Sequence, residues 1–190
     1  MKAKYLFGIS YILLLLVTSW VFWGVYFKGF FFMGDDFVQM DPACVSAKSF
    51  FCMVGYPDMY RPFHHLFKMS LKWIFGLSPM PHFLVVLFLH VGTCAGAGYV
   101  LYKIVGEWFV VLLSSVLYCT FYMHYQSMFH SSLLDQLAIF LFMLSVVFFL
   151  EYRETGSTSY YVLCLVAFIL SLMTKEYALV LPVFVGVLTL

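Results

Sequence analysis

The fold class this sequence predicts is an all-α bundle of membrane-crossing helices, and three observations lead there. Of 190 residues, 64% are hydrophobic and only 10% charged, against roughly 25% charged in an average soluble domain. Long apolar runs recur along the chain, separated by short polar connections, and about six of them are candidate spans. A single extended polar-containing segment, residues 28–81, interrupts this pattern and holds a helix-like stretch over about 62–75. The formal charge of +1 offers nothing to a polyanion, so nucleic acid is excluded as a partner. The whole chain reads as one transmembrane module, with membrane lipids as its surroundings.

Met1 to Lys4 carries two lysines, and Tyr5 to Phe27 then runs 23 residues without a charge. About 20 helical residues cover the hydrocarbon core, so this run spans a bilayer. It exceeds the h-region of a cleaved signal peptide, and no small-x-small site precedes Trp20 and Trp23. An uncleaved helix ending in an aromatic belt is therefore expected.

Within the long segment, Pro62 suits a first helical position. Phe63, Leu66, Phe67, Leu71 and Ile74 recur at three- and four-residue spacing, while His64, Lys68 and Lys72 fall on the other face. This pattern predicts an amphipathic helix lying in the interface with its cations toward headgroups. The next span is His82 to Tyr102, marked by Pro79 and Pro81 before it and Lys103 after it. Its Gly92-Thr-Cys-Ala-Gly96-Ala-Gly98 stretch is a small-residue ridge that admits a neighbouring helix closely. His90, in mid-span, is expected to hydrogen-bond a neighbouring helix, with a buried ligand as the alternative. Trp108–Tyr122, Leu133–Leu150, Tyr160–Met173 and Tyr177–Leu190 complete the set, and the last run is still apolar where the sequence stops, as in a truncated chain.

Chemistry concentrates in the polar connections. Asp35 and Asp36 stand a few residues past the first span, and adjacent carboxylates require a proton, a cation or a basic partner. Arg61 precedes the surface helix, where a guanidinium can fork two phosphate oxygens. His130 and Asp135 lie at the head of a later helix, and Lys175–Glu176 precedes the final run. If Met1 is cytoplasmic and each run crosses once, all of these emerge on the far side. The charge bias does not set that orientation: four basic residues fall inside and six outside, against the positive-inside tendency.

A Gly-Asp-Asp after the first helix, Tyr-Arg-Pro opening a surface helix, His130-x4-Asp135, and Thr-Lys-Glu before an apolar run together resemble the N-terminal half of polytopic GT-C glycosyltransferases. That superfamily includes protein O-mannosyltransferases, aminoarabinose transferases of lipid A, and TPR-containing O-mannosyltransferases. The resemblance covers nearly the whole chain by order and spacing; His130-Ser-x3-Asp135 stands where members often have His-Pro-x3-Glu, and catalytic chains of the family are usually at least twice as long. It implies transfer of a sugar from a polyprenyl-phosphate donor to a lipid, glycan or protein acceptor at the extracytoplasmic face of the plasma (inner) membrane. Asp35 would be the general base with Asp36 beside it, and Arg61, His130, Asp135, Lys175 and Glu176 would bind substrate. Apart from the resemblance, such transfer needs a carboxylate to take the acceptor proton and positive charge to hold the departing phosphate. A divalent cation held by Asp35, Asp36 and Asp135 would suit an oxygen-rich cluster.

Each residue also has a structural reading. The aspartate pair would end a helix in solvent, Asp135 would favour a helix N-terminus, and Lys175–Glu176 would form an interfacial turn. A non-catalytic scaffold, a truncated pseudo-enzyme and a small transporter subunit are the alternative functions. Cys94, Cys119 and Cys164 read as small packing residues within apolar runs, and Cys44 and Cys52 as a pair that bonds if their loop meets an oxidising compartment.

Overall fold

The structure is a computed structural model and describes residues 2–24, 61–121 and 134–188. Among the described residues there are seven α-helices and one 3₁₀ segment, and no strand. They are α1 (Lys2–Gly24), α2 (Pro62–Phe75), α3 (Pro79–Val105), α4 (Trp108–Cys119), α5 (Leu134–Thr155), α6 (Thr158–Leu172), the 3₁₀ turn Glu176–Val180, and α7 (Leu181–Leu188).

Helix pairing follows from where side chains meet. Trp23 of α1 packs with Val86 and Leu87 of α3, and Leu15 packs with Val91 and Cys94, so the two helices run antiparallel. Ser145 of α5 donates to the Cys164 carbonyl at 3.0 Å and Ser171 to the Ala138 carbonyl at 2.8 Å, which makes α6 antiparallel to α5. The small-residue ridge of α3 works on two faces. A Cβ at Gly92 or Gly96 would run into Phe140 or Met143 of α5, while one at Gly98 would meet Tyr11 of α1 and Ser115 of α4. Glycine thus lets α3 sit at the centre of the bundle, between α1 and α4 on one side and α5 on the other.

Both tight hairpins reverse at the same end. Gly106 follows α3 with φ 76°, donating its N–H to the Tyr102 carbonyl at 2.9 Å. Gly156 follows α5 with φ 67° and bonds Tyr152 in the same way at 2.8 Å. A left-handed residue is what ends a helix sharply, and glycine adopts it without a Cβ clash.

Two helices are long and apolar enough to cross a membrane, α3 with 27 residues and the Asp135–Thr155 stretch of α5 with 21. The Gly8–Trp23 stretch of α1, α4 and α6 are apolar but shorter. The expected final span over 177–190 differs most: a 3₁₀ turn occupies Glu176–Val180 and α7 has only 8 residues, roughly 12 Å of helix. The aromatic belt at the end of α1 is also divided. Trp20 is exposed, but Trp23 is buried and its indole donates to the Cys119 carbonyl at 3.0 Å.

The surface helix begins at Pro62 as its sequence predicts, and Leu71 of its apolar face is buried with Phe67 packed beside it, but part of its polar face turns inward as well. His64 and Lys68 are 2% and 3% exposed, whereas Leu66, Trp73 and Ile74 turn outward, Trp73 by 88%. The cause lies at its first turn. Phe63 N–H bonds the Met173 carbonyl at 3.2 Å, fixing the helix's rotation so that positions 64, 68 and 71 face the bundle. Polar inside and apolar outside is the sensible arrangement where the surroundings are hydrocarbon.

Candidate functional site

Four of the residues singled out in the sequence meet at one end of the bundle. Arg61 immediately precedes α2, where Pro62 sets the first helical turn. Its Nε and Nη2 donate to the two carboxylate oxygens of Glu176 at 3.0 and 2.9 Å, across 115 residues of chain. Beside Glu176, the Lys175 ammonium pairs with Asp135 in the first turn of α5. The two ion pairs are therefore joined through the Lys175–Glu176 peptide. Their position follows from the helix directions: Gly24, Pro62, Cys119, Leu134 and Leu172 are all helix ends on this side of the bundle.

The electrostatics here are dominated by the guanidinium fork. Its hydrogen bonds hold the Glu176 carboxyl below its ordinary pKa, because they favour the ionised form. Arg61 is largely buried while Glu176 is 57% exposed, so the pair is open to water on the acidic side. One turn into α2, burial lowers the His64 pKa well below its ordinary value, and Lys68, His65 and Arg61 add repulsion in the same direction. Both ring nitrogens of His64 are without a hydrogen-bond partner. His65 is lowered too, again chiefly by burial.

The sequence offered the Arg61 fork to phosphate; in the structure the Glu176 carboxylate occupies it. Asp135, expected among the ligands of a divalent cation, has its carboxylate on Lys175. Of that proposed cation set it is the only described member. Asp35, Asp36 and His130 lie outside the described residues, as do Cys44 and Cys52.

The opposite end carries a second charged group, formed by Lys103 with Glu151 and Glu154 and by the Tyr99 hydroxyl on Glu151. The connections at Gly106 and Gly156 lie there. A cleft of about 310 Å³ opens between α3 and α4, lined by Gly98, Leu101, Ile104, Ser114, Tyr118 and Met143 among others, and its walls are almost wholly apolar. It has no charged lining residue and lies away from the Arg61 end, so the polar chemistry is not there.

One group was missed in the sequence. His90 and Cys94 of α3 and Cys119 of α4 are all buried, with their ligand atoms within 4.8 Å of one another. His90 does bond a neighbouring helix, its Nε2 lying 3.1 Å from the Cys119 carbonyl, as its mid-span position suggested. The signal available was the four-residue step from His90 to Cys94, which puts both on one helix face. The third member comes from a different helix, so no linear spacing announces it. No protein-family model, curated protein or solved structure matches this chain.

Proposed function

We propose that the chain is a GT-C-type membrane glycosyltransferase module that moves a sugar from a polyprenyl-phosphate donor to an acceptor hydroxyl at the extracytoplasmic face. The observation carrying this reading is the meeting of Arg61, Asp135, Lys175 and Glu176 at one end of the bundle, from positions up to 115 residues apart. Multi-pass insertion in a plasma (inner) membrane belongs to the same proposal. It is supported by outward-facing apolar residues at helical spacing, Ile9, Leu13, Val17 and Val21 on α1 and Val162, Val166 and Ile169 on α6.

In this reading the described residues provide the positive half of the site. A donor phosphate entering beside Arg61 competes with Glu176 for the guanidinium, and Lys175 is adjacent to stabilise the leaving oxygen. Asp35, with Asp36 beside it, takes the acceptor proton as general base. His130 contributes on the donor side, five residues before Asp135.

The test is sugar transfer by the full chain reconstituted with polyprenyl-phosphate-linked sugars. Asp35→Asn should lower the rate by about 10²- to 10⁴-fold, with donor binding retained, whereas Arg61→Ala should weaken donor binding. Wild-type turnover by Asp35→Asn removes it as the base. A specific observation also favours a second reading, a non-catalytic scaffold: Arg61 and Lys175 are already matched by carboxylates, as a structural clasp requires. Absence of transfer from any polyprenyl-phosphate sugar, with Arg61→Ala destabilising the fold, would favour the scaffold.

A further inference from the structure

We propose that His90, Cys94 and Cys119 form a zinc site that ties α3 and α4 together inside the bundle.

The donors are brought in by two helices. On α3, His90 and Cys94 lie one turn apart, and His90 Nε2 stands 3.7 Å from Cys94 Sγ. Cys119 closes α4 at its last turn, and the imidazole and both thiols lie mutually within 4.8 Å. Zinc bonds of about 2.0–2.3 Å place tetrahedral ligand atoms about 3.5–3.8 Å apart. The His90–Cys94 separation already has that value, and the remaining adjustment is within the reach of side-chain rotation.

Ser19 of α1 is completely buried and lies against the Cys119 thiol, so the group is closed off on the α1 side. Metal binding also leaves the backbone satisfied. His90 Nε2 must leave the Cys119 carbonyl to bind a metal, but that carbonyl keeps the Trp23 indole at 3.0 Å, so no buried acceptor is orphaned.

The metal is chosen by charge and softness. Each thiol loses its proton on binding, so one Zn²⁺ releases two protons and leaves a centre of two thiolates and an imidazole with zero net charge. A monovalent soft ion with the same ligands would leave a net negative charge in an apolar interior, which is costly. Hard divalent ions prefer oxygen donors, whereas thiolate and imidazole suit zinc.

The experiment uses the full chain in detergent with Cys44→Ser, Cys52→Ser and Cys164→Ala, leaving Cys94 and Cys119 as the thiols. One equivalent of Co²⁺ should produce thiolate-to-cobalt charge transfer and tetrahedral d–d bands, and Zn²⁺ should displace it. Cys94→Ser, Cys119→Ser or His90→Gln in that background should weaken Zn²⁺ binding by more than about 100-fold, beyond the loss typical of an outer-shell change. A second readout needs no site variant. In the parent chain, Zn²⁺ should slow alkylation of Cys94 and Cys119 by N-ethylmaleimide by about 10-fold or more, with chelation restoring it, because the thiolate is the reactive form and the metal occupies it. Alkylation unchanged by Zn²⁺, no charge-transfer absorption, or a Cys94–Cys119 disulfide as the resident state of the freshly purified chain would each overturn the proposal.

Discussion

Glu176, the partner of Arg61, and His64 both make the fold less stable as pH falls, over different ranges. The folded Glu176 carboxyl titrates below its unfolded value, so its pair with Arg61 stabilises the fold above the unfolded carboxyl pKa of about 4.3 and loses that effect as pH falls through the folded value. Glu176 is more than half exposed, so the pair is worth about 0.2–1 kcal/mol at most. Glu176→Gln should therefore lower thermal stability slightly at pH 7 and not at pH 3, as thermal melts would show. His64 is buried in its neutral form, while in the unfolded chain it takes up a proton below about pH 6.5. Stability should then be full above about pH 6.5 and fall by up to about 1.4 kcal/mol for each pH unit below it. Hydrogen exchange over α2 should accelerate at pH 5.5 relative to pH 7.5, and His64→Leu should flatten that response. An unchanged slope in His64→Leu would show that another group titrates.

These side chains also show what the sequence could and could not tell. Pro62 announced the start of α2 because proline fits only certain helix positions. The direction that His64 and Lys68 face was not legible, since periodicity gives two faces but does not say which one meets protein. That was decided by a backbone hydrogen bond to Met173, 110 residues away in the chain. The Arg61–Glu176 and Lys175–Asp135 pairings were likewise invisible as pairs, although each residue stood out as a charge among apolar neighbours. The His90–Cys94–Cys119 group required knowing which two helices are neighbours.

Helices were the most legible level. Runs of 3.6-residue apolar character gave α3, α4, α5 and α6 with their ends displaced by a few residues, because length, proline and glycine punctuation are local. Within the final apolar run the described residues form a 3₁₀ turn, Glu176–Val180, and then α7, a break that apolar content alone does not announce. The glycines of α3 permit a direct check of packing. A Cβ at Gly98 collides with the Tyr11 hydroxyl, which is held at 2.6 Å by Ser115 Oγ. Gly98→Ala should destabilise the bundle by about 1–3 kcal/mol despite alanine's better helix propensity. Adding Tyr11→Phe removes the nearer colliding oxygen and leaves Ser115 Oγ, so partial recovery of stability in the double variant would establish the Tyr11 contact as one cause. Gly96→Ala should be milder, because a flexible Met143 side chain is what stands opposite.

The bundle has two chemically distinct ends, Arg61, Asp135, Lys175 and Glu176 at one and Lys103, Glu151 and Glu154 at the other. If it crosses a bilayer, a membrane-impermeant maleimide applied to sealed vesicles should reach Glu176→Cys from one side and Glu154→Cys from the other. Labelling of both from the same side would refute a transmembrane arrangement of α5 and α6. Polarity between the ends was anticipated from the order of apolar runs, while the orientation across a membrane was not, because the lysines and arginines are distributed against the usual bias.

The clasp between Arg61 and Glu176 also imposes an order on biosynthesis. With chain growth of about 5–20 residues per second, the guanidinium emerges roughly 6–23 seconds before its carboxylate exists. During that interval the first helices must be held by their own apolar and glycine-mediated contacts, and the basic headpiece is open to lipid phosphates or to insertion factors. The late arrival of one glutamate then acts as a latch that closes an already assembled N-terminal half.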